Sequence, residues 1–154
     1  MPPKAAKGEY IETDTGNKIS RRSLIHGTQH IILGGKTVIQ AEAVIRGDLF
    51  RVQPPSSSSS HSHSNDGENP SSSSTNTPPS VAITVGRYTY ISRAAILRPP
   101  SRLHRGLHSY YPLKIGDHVF VGEHSIVEAA QIGNHVHIGN GVVVGHMAIL
   151  KGFA

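Results

Sequence analysis

Ile132-Gly133-Asn134-His135-Val136-His137-Ile138-Gly139-Asn140-Gly141-Val142-Val143-Val144-Gly145-His146-Met147-Ala148-Ile149-Leu150 places a large aliphatic residue at every sixth position: Ile132, Ile138, Val144 and Leu150. A period of six does not fit the 3.6 of an amphipathic helix, and the stretch is rich in Val, Ile and Gly, which disfavour helix. It fits a coil with three flat sides, one hexad per side. The residue after the anchor is often Gly, as at Gly133, Gly139 and Gly145, and is read as the permissive residue of a tight corner. A second small or β-branched residue sits four after the anchor, as at Val136, Val142 and Ala148, and is expected to point inward. Successive coils then stack through parallel ladder bonds about 4.8 Å apart, with the anchors of each side forming a column inside.

The same period runs upstream. Val85, Ile91 and Leu97 fall six apart, as do Ile115, Val121 and Val127, with Gly86, Gly116 and Gly122 after anchors and Thr89, Ala95, Val119 and Ser125 four on. One five-residue step joins Val127 to Ile132. Earlier the pattern loosens, but Ile39 and Ile45 keep the step, and Ile31, Ile32, Val38 and Val44 beside them predict at least one further coil.

Residues 53–80 break the pattern: twelve of them are Ser, five are Pro, and no other apolar residue is present. Such a segment cannot bury enough surface to offset its ordering entropy, so it reads as a disordered insertion whose flanks meet in space. The expected organisation is one domain: a disordered N-terminus (1–9), a first part of the β-helix (10–52), the Ser/Pro-rich insertion (53–80) and the remainder (81–154). Within the last part, 99–114 is expected to protrude from a corner, carrying His104, His108, Arg102, Arg105, Tyr110 and Tyr111.

Composition excludes several classes. With no Cys, the chain has neither a disulfide framework nor a thiolate metal site, which agrees with a reducing compartment. No apolar run approaches the roughly 18 residues of a membrane span, and Met1 to Gly8 lacks the apolar core of a signal peptide, so neither membrane insertion nor export is expected. The formal charge of +5 is spread thinly, with Arg21-Arg22 the densest exposed pair, which argues against nucleic acid as a partner.

Ile45-Arg46-Gly47-Asp48, Ile115-Gly116-Asp117-His118-Val119-Phe120-Val121 and Gln131-Ile132-Gly133-Asn134-His135-Val136-His137-Ile138-Gly139 resemble the γ-carbonic-anhydrase-like branch of the hexapeptide-repeat proteins, as does the five-residue step. Tyr10-Ile11-Glu12-Thr13, Gly16-Asn17-Lys18, Gly35-Lys36-Thr37, Arg98-Pro99-Pro100 and Tyr111-Pro112-Leu113-Lys114 narrow the resemblance to the dynactin subunit 5 and 6 family. The resemblance covers nearly everything outside the serine-rich stretch. It implies an all-β, single-stranded left-handed parallel β-helix of the trimeric LpxA-like kind. The serine-rich insertion and the ending at Leu150 to Ala154 look like a fungal-type form with a shortened C-terminus, whose last coil needs a cap or a partner. The function implied is a non-catalytic structural subunit of the dynactin pointed-end complex in the cytoplasm and cytoskeleton. Its implied partners are dynactin subunit 6, dynactin subunit 4, the pointed-end actin-related protein and dynein/dynactin cargo such as endosomes.

The related carbonic anhydrases hold zinc between subunits through three histidines, and the matching positions here are Arg98, Glu123 and Glu128. An arginine cannot lose its proton and opposes a metal, so no metal, cofactor or catalytic residue is expected, and Arg98 is expected to pair with the two glutamates instead. His124 is one residue out of register, which on a strand turns it to the other face. His118, His124, His135, His137 and His146 remain candidates for a different metal site but read more simply as outward polar residues. A zinc enzyme of the carbonic anhydrase type is one alternative. A hexapeptide acyltransferase with His104 or His108 as general base is another. The resemblance implies that Arg46 and Asp48 form structural ion pairs near subunit contacts, and nothing marks Arg46-Gly47-Asp48 for adhesion outside cells. Arg98, Arg102, Tyr110 and Tyr111 are the expected partner-binding residues, because arginine and aromatics are enriched at interface hot spots.

Overall fold

The computed structural model describes residues 8–51 and 80–152. The expected disordered N-terminus up to residue 7 and the insertion from 53 to 79, with His61 and His63, lie outside the described residues.

The described residues form an all-β parallel β-helix whose coils are each built from three short strands. The first side stacks β2 (Lys18–Ser20), β5 (Val38–Ile39), β8 (Tyr90–Ile91), β13 (Phe120–Val121) and β16 (His137–Ile138), and β1 (Tyr10–Glu12) pairs antiparallel with β2. The second stacks β3 (Leu24–His26), β6 (Val44–Arg46), β9 (Ile96–Leu97), β14 (Ile126–Val127) and β17 (Val143–Val144). The third stacks β4 (Ile31–Leu33), β7 (Ile83–Val85), β12 (Leu113–Ile115), β15 (Gln131–Ile132) and β18 (Ile149–Leu150). Two further strands, β10 (Ser101–His104) and β11 (Leu107–Tyr110), form an antiparallel hairpin between β9 and β12. Leu113 and Lys114 already belong to β12, so the excursion closes two residues earlier than its composition suggests.

Register follows the anchors. Ile19, Ile39, Ile91, Val121 and Ile138 align on the first side. Ile25, Ile45, Leu97, Val127 and Val144 align on the second, and Leu33, Val85, Ile115, Ile132 and Leu150 on the third. Ile39, Ile45, Ile91, Leu97, Val121 and Val127 are fully buried, so these columns are the core. Thr89, Ala95, Val119 and Ser125 point inward as expected, but Val142 is exposed, because no described coil stacks beyond it.

The role expected of the glycines needs correcting. Gly86, Gly116 and Gly122 do not have positive φ. A Cβ on Gly86 would collide with Gly116 and the Asp117 carboxylate, and one on Gly122 with Gly139 and Asn140. They are small because the next coil passes close, not because the chain turns there. The turning residue lies three before the anchor: Lys36, Glu42, Tyr88, Ala94, His118, His124, His135 and Met147 all have φ between 48° and 61°. The Asp or Asn after the glycine also has a physical task. Asp117 Oδ1 accepts the Arg87 N–H at 2.7 Å, Asn134 Oδ1 that of Asp117 at 2.8 Å and Asn140 Oδ1 that of Glu123 at 2.9 Å, each one coil away.

Every departure from the six-residue step falls at one corner, between the second and third sides. A 3-10 turn at Thr28–His30 occupies it in the first coil, the 53–80 segment leaves from it in the second, and the hairpin leaves from it in the third. Both margins of the serine-rich segment converge on His30, whose ring stacks on Phe50 at 3.9 Å and whose Nδ1 lies 2.7 Å from the Ser80 carbonyl oxygen.

Candidate functional site

Because strand side chains alternate, the residue before each second-side anchor points outward. Those residues are Leu24, Val44, Ile96, Ile126 and Val143, an aliphatic column running the length of the solenoid. Leu24 and Val143 at its ends are 55% and 68% exposed, and the middle three are half-buried by one another. The first side presents rings instead: Tyr90, Phe120 and His137 stack in succession at 5.4 and 4.6 Å. The third presents Thr84, Lys114 and Gln131 between Ile32 and Ile149. The second side is therefore the uniformly aliphatic outer face.

Charged rows border it. Along one corner Glu42 accepts from Arg22 at 2.8 Å and from Arg93 at 3.1 Å, and the Arg93 hydrogen bond, with its charge, holds the Glu42 carboxyl below the usual range. Along the other, Arg46 grips Asp48 through two hydrogen bonds of 2.9 Å. The Arg46 hydrogen bonds hold the Asp48 carboxyl low against the opposing effect of its partial burial. Further along this rim Arg98 Nη1 lies 3.4 Å from Glu128 Oε1, and His146 Nε2 lies 2.6 Å from Glu128 Oε2. An apolar strip with a polar, ion-paired rim is the anatomy of a protein interface.

Arg98, Glu123 and Glu128, the positions that the resemblance implies would match zinc ligands, divide between these rims. Arg98 and Glu128 pair, as expected of them, but Glu123 does not join: it lies across the aliphatic column, beside Arg93 and Asn140 in an open cleft of about 420 Å³. Among the described residues no three His, Asp or Glu side chains converge to hold a metal. The histidines proposed for another metal site are dispersed. His118 stacks between Tyr88 and His135 at 4.9 and 4.8 Å, His137 lies on Phe120, His124 turns a corner and His146 meets Glu128. His104 and His108 project from opposite faces of the hairpin, so they do not converge on one acceptor.

The expected partner-binding residues also separate. Arg98 is tied to Glu128, Tyr111 is half-buried with the Arg51 guanidinium 5.8 Å from its ring, and Tyr110 is half-buried at the hairpin's base with His108 edge-on at 4.9 Å. Arg102 is exposed on the hairpin. The six-residue period alone does not predict the outward aliphatic column, but the sequence carries its signal: Leu24-Ile25, Val44-Ile45, Ile96-Leu97, Ile126-Val127 and Val143-Val144 are doubled aliphatics recurring at every third strand position.

The chain's sequence matches the profile described as dynactin subunit 5 over residues 4–65 and 78–154. It belongs to the dynactin subunit 5 family. It is 34% identical over 130 residues to a protein of Dictyostelium discoideum named dynactin subunit 5, an alignment covering 84% of this chain. The chain spans about half (50%) of that relative's length. No helix among the described residues is long and apolar enough to cross a membrane.

Proposed function

We propose that this chain is a non-catalytic structural subunit of the pointed-end complex of dynactin, supporting attachment of dynein/dynactin cargo such as endosomes in microtubule-based transport. Its proposed place is in the cytoplasm, on the cytoskeleton. The proposed partners are dynactin subunit 6, dynactin subunit 4 and the pointed-end actin-related protein.

The observation that carries this reading is what occupies the second side. Positions that bind zinc in related enzymes hold a permanent cation locked to a carboxylate, and between the rims runs an uninterrupted aliphatic column. Such a column is surface that a partner covers, and the Arg46–Asp48 pair fixes the edge of that contact. The hairpin supplies a second contact, through Arg102 above all, with Tyr110 and Tyr111 securing its base.

The test is isolation at native level, with the metal content measured and the co-purifying proteins identified. Association with dynactin subunits and no stoichiometric metal is expected, and Val44→Glu/Ile126→Glu is expected to abolish the association. A homotrimer with about one zinc per chain would overturn the reading in favour of a carbonic-anhydrase-like enzyme. Acyl transfer lost on changing His104 and His108 would overturn it in favour of the acyltransferase.

A further inference from the structure

The hairpin of β10 and β11 is anchored at its base and open at its tip. Pro99 and Pro100 are buried, and the Tyr111 N–H donates to the Pro100 carbonyl at 2.8 Å, closing the neck. At the other end Arg105 and Gly106, with φ of 49° and 75°, make the two-residue turn with both φ positive that matches strand twist. The register pairs Ser101 with Tyr110, Arg102 with Ser109, Leu103 with His108 and His104 with Leu107. Cross-strand partners share a face, so one face carries Leu103 and His108 and the other carries Arg102, His104 and Leu107. Leu103 and Leu107 are 68% and 65% exposed, one on each face.

Two further facts define a ligand. Among the described residues β10 and β11 pair with each other alone, so each offers an unpaired row of backbone donors and acceptors along its outer edge. From Pro99 to Gly116 there is no Asp or Glu, while Arg102, Arg105 and Lys114 are cationic. Cations on an open edge disfavour pairing with a second copy of the same edge, because like charges would meet. They favour a strand of opposite charge.

We propose that this hairpin is a docking edge for an acidic, extended segment of a partner protein, one in which Asp or Glu alternates with aliphatic residues. The segment adds as a third strand, its backbone completing the hairpin's open edge. Its carboxylates meet Arg102 and Arg105, and its aliphatic side chains, on the opposite face of the added strand, lie over Leu103. This inference rests on the assembly reading above and names the partner's chemistry at the hairpin. Tyr110 and Tyr111 act as base residues that hold the edge in position.

The probe is a fluorescein-labelled peptide of about nine residues alternating Glu with Val or Leu, titrated into the full chain and followed by anisotropy. Binding is expected, weakening severalfold between about 50 and about 200 mM salt as the Debye length shortens. Arg102→Glu/Arg105→Glu is expected to weaken it by about tenfold or more, and Leu103→Ser severalfold, with melting temperatures unchanged. Arg21→Glu, a charge reversal away from the hairpin, leaves it unchanged. No binding, equal binding to both hairpin variants, or equally tight binding of poly-aspartate or a DNA oligonucleotide overturns the proposal. Dynactin subunits that still co-purify in that case place the failure with the docking edge alone. A wild-type chain that binds the peptide but retains no dynactin subunit places it with the assembly reading instead.

Discussion

Ile96 and Leu97 are chain neighbours on one strand whose side chains face opposite ways, and truncating each in turn separates core from the proposed contact face. Leu97 is fully buried between Ile45 and Val127 in the second-side column. Leu97→Ala opens a cavity that stacked backbones on both sides cannot collapse into, at a cost of about 3 kcal/mol. With a urea slope of about 1.5 kcal/mol per molar for a domain of this size, the unfolding midpoint falls by about 2 M. Ile96 points outward and touches its column neighbours Val44 and Ile126, so Ile96→Ala forfeits cross-strand contacts of about 0.5 kcal/mol and moves the midpoint by about 0.3 M. Urea unfolding of the isolated chain, followed by far-UV circular dichroism, reads both. Retention of dynactin partners should rank the other way, with a charged residue at Ile96 losing the partner while the chain stays folded. An Ile96→Ala cost equal to or above that of Leu97→Ala would refute the inward and outward assignment, and with it the contact face.

His124→Gly should stabilise the chain by up to about 1 kcal/mol, since His124 holds φ of 57° without a stacking partner among the described residues. His118→Gly should be near neutral, because the same relief is offset by the loss of ring stacking on Tyr88 and His135; thermal melts of the two variants compare them directly. Ser125→Ala should cost about 1 to 2 kcal/mol in urea unfolding, because the buried Ser125 hydroxyl donates to the Gly139 carbonyl at 2.7 Å. Acid should destabilise the fold: Asp48 and Glu42 have folded pKa values below their ordinary 3.8 and 4.5, so their contribution is complete above those values and lost as pH falls below them. Asp48 is 41% exposed, so its share is below about 1 kcal/mol, and Arg46→Ala should remove that share from the pH dependence of the urea midpoint.

The inward columns were legible because every anchor repeats the same aliphatic choice, and stacking forces each coil to follow the path of the last. Ile115 and Ile132 keep their register although a hairpin precedes one and a five-residue step the other, since ladder bonds align strands whatever joins them. The first coil was harder to see. Ile19 and Ile25 keep the six-residue step, but no glycine follows Ile19, and the 3-10 turn at Thr28–His30 displaces the third anchor to Leu33. The corners were misread for a physical reason. Left-handed φ is normally glycine's, whereas here Lys36, Tyr88, His118 and His135 adopt it in one column and hold together by stacking, with the Lys36 ammonium 5.5 Å from the Tyr88 ring centroid. That column also explains histidines that invited a metal. A planar ring stacks on the ring one coil away, which is sufficient reason for His118 and His135 to be there. The separation of Glu123 from Arg98 follows from the hexads, since Glu123 comes two after the first-side anchor Val121 whereas Arg98 and Glu128 come directly after the second-side anchors Leu97 and Val127.

A solenoid of this kind divides its surface between what stacking fixes and what stacking leaves free. Two of its corners keep the six-residue step in every described coil, as from Val85 to Ile91 and from Ile91 to Leu97. The third, between the second and third sides, tolerates departures, and it collects them: the turn at His30, the departure at Arg51 and return at Ser80, and the hairpin with Leu103 and Leu107. The Arg46–Asp48 and Arg98–Glu128–His146 pairs line that same edge, next to the aliphatic column. Core packing therefore cannot account for the choice of residues there. Nothing inside the prism requires Arg98 to be a cation held by Glu128, and nothing inside requires Leu24, Val44, Ile96, Ile126 and Val143 to be aliphatic.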